Sequence, residues 1–173
     1  MPSISDRSQD FIIANHVLEH ADNALEVLTQ WARTVRLGGN MFVTVPIAEQ
    51  IFDRGRTETT LAHFVDDFKS NRNGNVENFR KNNLGHYVEW LSISHPAILA
   101  MSGQPCAPPS MEQINAQAKQ LLSDRSEIHF HTFSVASFQQ LLEFFCSTLE
   151  PDFTVAEIGQ YKSEVIGVIH RKS

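Results

Sequence analysis

This chain of 173 residues is short of several things, and each shortage excludes something. It has two cysteines, Cys106 and Cys146. They are too few and too widely spaced for a disulfide framework or a cysteine zinc site. That usage points to a reduced, cytoplasmic protein, with a single bridge between the two as the minor alternative. Basic charge is not in excess: 14 Lys and Arg against 20 Asp and Glu leave a net charge of −6. This argues against a general nucleic-acid or anionic-membrane surface. No apolar run is long enough to span a bilayer, and residues 1–7 carry no apolar signal core. Among eight glycines none forms a G-x-G turn between a strand and a helix, so there is no phosphate or dinucleotide cradle of that kind. Internal repeats and low-complexity segments are absent, and no Ser–His–Asp or Cys–His arrangement stands out.

What is present is organised around residues 10–46. Residues 11–14 are a short apolar run, as expected of a strand covered on both faces of a parallel sheet. The run breaks at Asn15-His16. Asp22 or Asn23 then caps a helix, and Glu26, three residues after Asn23, completes a candidate capping box. Leu25, Leu28, Ala32 and Val35 recur at helical spacing on one face. Gly38 and Gly39 are expected to end the helix in the left-handed conformation, and Met41 to Val45 is expected to form a second buried strand that Pro46 stops. Such a βαβ unit is right-handed, and ligands in open α/β sheets bind at the carboxyl ends of the strands. Residues 15–20 and 46–56 are therefore expected to face one crevice.

Downstream, residues 57–71 read as a helix with Thr57 or Thr59 near its cap and Leu61, Phe64, Val65 and Phe68 on one face. Residues 76–100 read as largely helical, interrupted at Gly85 and Pro96. A loop at 102–110 holds Pro105, Pro108 and Pro109, and 111–123 is a further helix. Residues 127–133 alternate as a short strand or extended segment. Ser134 caps a helix with Val135, Phe138, Leu141, Leu142 and Phe145 in phase. Strands at 153–158 and 164–170, joined by a turn at 159–162, form a hairpin. The span 47–133 is far longer than the two to six residues usual for a connection in an α/β unit, so it reads as a helical insertion over the carboxyl edge of the sheet. The length suggests one domain.

Three groups of residues are candidates for chemistry. His16, Glu19 and His20 lie in the turn after the first strand, where an imidazole or carboxylate can act as a base. The plainer reading has Glu19 and His20 cap or tether the next helix. His129 and His131, two apart on an extended segment, are expected to project to one face. They suit an acceptor pocket, a metal completed by His86 or Glu89, or a polar strand face packed under the cap; no metal is assigned on this evidence. Asp53, Arg54 and Arg56 surround Gly55. They either bind an anionic acceptor through paired guanidinium groups or form a solvated, salt-bridged loop. His63, His95 and His170 read as structural or exposed.

Two stretches carry a resemblance. Asp-Phe-Ile-Ile-Ala-Asn-His-Val-Leu-Glu-His at 10–20, then a short helix, then Arg-Leu-Gly-Gly-Asn-Met-Phe-Val-Thr-Val-Pro at 36–46 resembles the fourth-to-fifth-strand region of class I S-adenosylmethionine-dependent methyltransferases of the small-molecule group. Leu37 stands where the family has proline, and Arg33 or Arg36 stands near its arginine. The likeness covers about a quarter of the chain closely and extends more weakly through 134–170. It implies a truncated, Rossmann-type α/β sheet of about four strands, made of the βαβ unit 10–46, an inserted helical cap 47–133, and a helix plus antiparallel hairpin 134–170. It implies S-adenosylmethionine as the cofactor, with Asn15 and His16 beside its methionine part and His16 and His20 as catalytic candidates. It also implies a small-molecule acceptor recognised by the cap, through Asp53, Arg54, Arg56, His129 and His131.

The family grips the cofactor mainly through a glycine-rich loop and an acidic residue on earlier strands. Only nine residues precede Asp10 here, whereas three further strand–helix units need on the order of 90. The resemblance therefore implies weak or absent cofactor binding by this chain alone, with that half supplied by another polypeptide or an upstream segment. The alternative is a non-catalytic, degenerate domain. In either case a strand at 11–14 left at a sheet edge calls for a homodimer or a complementing subunit.

Overall fold

The computed structural model describes residues 4–104 and 107–173. Pro105 of the proline-rich loop and Cys106 fall outside the described residues. The protein is a mixed α/β structure with a four-stranded sheet. Strand β1 (Gln9–Asn15) lies parallel to β2 (Val35–Pro46), and α1 (Ala24–Thr34) joins them. The Asn23 side chain caps α1 by accepting from the Glu26 amide at 3.1 Å, and Leu25, Leu28 and Ala32 bury the expected face.

The glycine pair does not end α1. The helix stops at Thr34, and Val35 is already extended. Gly38 and Gly39 lie inside β2, where the pairing with β1 jumps from Gln9–Val35 to Phe11–Asn40. The extra residues bulge there. Gly38 has φ of +74°, and a Cβ on Gly39 would stand 2.6 Å from the Asp10 carbonyl oxygen. The pair thus answers to a strand bulge and a close backbone approach, both of which share glycine's signature with a helix stop.

After the cap the chain returns through α6 (Val135–Phe144) and a wide helical turn (Phe145–Leu149) into β3 (Phe153–Tyr161) and β4 (Glu164–Arg171). Ser134 caps α6, accepting from the Ser137 amide at 3.1 Å. The strand order is β1-β2-β4-β3, with β4 antiparallel to both neighbours. β3 runs on through Gly159 to Tyr161, so the hairpin turn is tighter than the sequence suggests, at Lys162 (φ +52°) and Ser163.

One face of the sheet, with Met41, Val43, Val45, Val165 and Ile169, packs on α1, α6 and the wide turn. The contact is close enough that a Cβ on Gly167 would lie 2.4 Å from Leu142. Among the described residues no helix covers the opposite face at β1. Phe11 and Ile13 are 62% and 61% exposed, and the row Ile13–Phe42–Val168 continues their side of the sheet. β1 is therefore an edge strand covered on one side, where its sequence suggested burial on both.

The cap comprises α2 (Leu61–Arg72), α3 (Val76–Ser92), α4 (Ser94–Met101) and α5 (Met111–Asp124). Thr60, rather than Thr57 or Thr59, caps α2, and α3 and α4 part at Ile93 rather than at Gly85 or Pro96. Tyr87, Leu91, Ile114, Ala118, Ile128 and Phe130 form a second apolar core within the cap. Residues 126–132 form no regular strand; Phe133 alone bridges to Ile47. The segment is instead tied to the turn after β1, because the Phe130 amide donates to the Glu19 carbonyl at 2.8 Å. Among the described residues no helix is long and apolar enough to cross a membrane.

Candidate functional site

The carboxyl end of β1 delivers Asn15, exposed, and then His16, whose φ of +52° is left-handed. Such a backbone is uncommon outside glycine. The His16 amide still donates to Thr44 on β2 at 3.1 Å, while its Nε2 lies 3.0 Å from Glu164 and its Nδ1 3.6 Å from Glu19. Glu19 is fully buried, and neither carboxylate oxygen has a hydrogen-bond partner. Burial raises its pKa above the ordinary value. The Nδ1 of His20 meets the Ile128 carbonyl oxygen at 3.0 Å. Donation from Nδ1 there leaves Nε2 with the lone pair. Burial, then the neighbouring His129, lowers the His20 pKa. His20 also lines a cavity of about 680 Å³ between this turn and the cap, with Tyr87, Arg80, Arg125 and Phe130 among its walls.

On the sheet side of the cap lies a closed polar network. Asp53 is buried and accepts from Ser94 at 2.5 Å, from Arg56 at 3.0 Å and from the His129 Nδ1 at 2.6 Å. Burial pushes the Asp53 carboxyl up, but bonds from His129 and Ser94 outweigh it and hold the pKa below the usual value. Arg56 is equally buried, and it donates to Glu89 (3.2 Å) and to the carbonyls of His129 (2.8 Å) and Phe130 (3.1 Å). Its guanidinium is thus engaged by the protein's own groups. Arg54 points elsewhere, exposed, 3.7 Å from Glu49. The structure does not bring Arg54 and Arg56 together as a guanidinium pair; it joins Asp53 to Arg56 and leaves Arg54 on the surface.

His129 and His131 also part company. Without regular strand geometry the two imidazoles do not share one face. His129 joins Asp53 and packs edge-on to His20, with ring centroids 4.6 Å apart. His131 turns into a different group with His63 and Asp67 of α2 and His86 of α3. There the Nε2 atoms of His63 and His86 are 3.0 Å apart, and His63 Nε2 lies 3.2 Å from Asp67 Oδ2. His131 is 1% exposed, and neither of its ring nitrogens has a hydrogen-bond partner. Burial holds His131 well below the ordinary histidine value and brings His86 down to about 4. The Asp67 carboxylate, 3.2 Å from its Nε2, raises His63.

Among the described residues, two sets of side chains bring candidate metal donors within 4.8 Å of one another: His63, Asp67, His86 and His131, and Glu19, His20 and His129. The sequence offered His129 and His131 as a pair, with His86 or Glu89 as a third ligand; the structure puts His131 with His86 and separates His129 from them. It missed Asp67, and it set His63 aside as structural or exposed. The available signal was the i, i+4 spacing of His63 and Asp67, which puts both on one face of a helix. No family model matches the chain, and no curated protein matches it.

Proposed function

We propose that the chain is the acceptor-side portion of a class I type methyltransferase, acting on a small molecule once a separate segment supplies the grip on S-adenosylmethionine. The observation that carries this reading is the position of His20. It follows the carboxyl end of β1 and borders the cavity between turn and cap, whose volume of about 680 Å³ suits a small ligand. Parallel strands followed by an antiparallel hairpin that closes the sheet also accord with the resemblance. In this reading His20, neutral with its Nε2 lone pair available, takes the proton from an acceptor oxygen or nitrogen. His16 and Asn15 lie on the cofactor side of the same turn, and the cap holds the acceptor in line for displacement. The cofactor would supply the electrophilic methyl group.

Equilibrium dialysis with methyl-labelled S-adenosylmethionine tests the division of labour. The chain alone is expected to retain none at ~1 mM, about −4 kcal/mol of binding free energy. Tight retention would overturn the reading. A fragment screen by NMR tests the acceptor side: ligands are expected to shift resonances around His20, Tyr87 and Phe130, and to lose affinity in His20→Gln.

A second reading, a non-catalytic subunit that dimerises, is favoured by the bare face and free edge of β1, with Phe11 and Ile13 exposed. A dimer through this edge predicts a concentration-dependent sedimentation coefficient at micromolar protein that Ile13→Lys abolishes. A monomer throughout that range counts against it.

A further inference from the structure

Between α2, α3 and the segment before α6 lies a largely buried group of four candidate metal donors. Its four donors come from three separate parts of the chain. His63 and Asp67 share one face of α2, His86 comes from α3, and His131 from the irregular segment that precedes α6. Their donor atoms all lie within 4.8 Å of one another.

Internal hydrogen bonding does not account for this arrangement. One N–H on His63 Nε2 faces both His86 Nε2 and Asp67 Oδ2, and it cannot serve both well. His131 presents two ring nitrogens to the interior with no partner for either, and Asp67 Oδ2 has no hydrogen bond of its own. A buried polar group left unpaired is costly and asks for an explanation. The other oxygen of the same carboxylate, Asp67 Oδ1, is already held by Asn82 at 2.7 Å. That is the outer-shell orientation expected of a ligating carboxylate, with the second oxygen left free.

We propose that His63, Asp67, His86 and His131 bind a divalent zinc ion. Three imidazoles and one carboxylate are a donor set suited to zinc, and four protein donors fill a tetrahedron with no open position, as in structural sites. Donors about 2.1 Å from zinc stand roughly 3.4 Å apart in a tetrahedron. The distances of 3.0 and 3.2 Å around His63 Nε2 are close to that spacing. A cleft of about 440 Å³ lined by His63 and His86 provides the way in. Bound there, the ion clamps α2, α3 and the segment that carries His131. The assignment does not depend on the methyl-transfer reading.

The test uses the whole chain, stripped of metal by dialysis against chelator. It is titrated with Zn2+ by calorimetry, and with Co2+ while the visible spectrum is followed. The expected result is one equivalent of Zn2+ per chain and the intense absorption of four-coordinate Co2+. Affinity should fall by at least ~100-fold in Asp67→Asn and in His63→Gln, taking the upper end of the losses seen for outer-shell partners as a floor. The side chain of His63 is 32% exposed, so its variant still reports if Asp67→Asn fails to fold. His95→Gln, outside the group, should bind as the parent does. Absence of both zinc heat and the Co2+ bands in the parent chain overturns the proposal. So does binding that survives both α2 variants, or binding lost in His129→Gln while Asp67→Asn retains it, which would place the ion at Glu19, His20 and His129.

Discussion

Two buried polar groups flank residues 129–131, and they are built on opposite terms. On the His129 side Asp53 and Arg56 are fully engaged: Asp53 accepts from three side chains, and Arg56 donates to two carboxylates and two backbone carbonyls. Around His131 the interior is left with nitrogens that bond to nothing. The first group needs no ligand and acts as a lock between the loop after β2, α4 and the irregular segment. The second is incomplete as protein alone. A single residue, Phe130, separates the two imidazoles, so the difference arises from what surrounds each one and not from the residue type.

The largest effect expected is on the lock. Arg56→Met leaves Asp53 and Glu89 without their cation, and a broken buried pair costs about 3–5 kcal/mol. Urea unfolding should show a loss of unfolding free energy of that order, and a loss under ~1 kcal/mol would deny the network its structural role. The open group should behave in the opposite sense. In metal-free protein, His131→Leu removes two unpaired polar atoms and should leave stability unchanged or raise it by about 1–2 kcal/mol. The same variant should gain no stability from added zinc, whereas the parent should gain it. Equal loss in Arg56→Met and His131→Leu would erase the contrast.

Acid provides a third and smaller effect. The Asp53 pKa is lower in the folded than in the unfolded state. Its contribution is therefore present above the unfolded pKa and is lost as pH falls through the folded value. Comparison of the parent with Asp53→Asn in urea, from about pH 6 down to about pH 3, should show the gap between them narrowing toward low pH. A gap that widens would reverse the assignment of sign. The smallest effect is expected outside both groups: Arg54→Ala, on the surface beside Glu49, should change stability by less than ~0.5 kcal/mol. A larger loss would mean that Arg54 belongs to the lock after all.

The contrast also marks how far the residue pattern could be read unaided. Local chemistry was legible wherever short-range rules act. Asn23 and Ser134 cap helices because their side chains reach an amide three residues on. The apolar period of α1 and of α6 put the right residues on the sheet, and the alternation at the C-terminus announced a hairpin. Gly38 and Gly39 were misread because glycine answers equally to a helix stop and to a close approach between strands, and only the neighbouring strand distinguishes the two. The segment 126–132 alternates like a strand but has no strand beside it to pair with until Phe133 meets Ile47.

For the candidate site, the sequence by itself determined which residue types were available: histidines clustered after β1, on α2 and α3, and before α6, with carboxylates and arginines between them. It also determined that His63, Asp67 and His86 ride on helices, because capping and periodicity act within a few residues. The tertiary structure alone decided their company. It sent His129 to a closed network and His131 to His63, Asp67 and His86, because contacts between residues far apart in the chain depend on how the cap folds back over the turn after β1. It also left Phe11 and Ile13 bare, since whether a strand is covered on one face or two is settled by the layers packed against it and not by the strand's own residues.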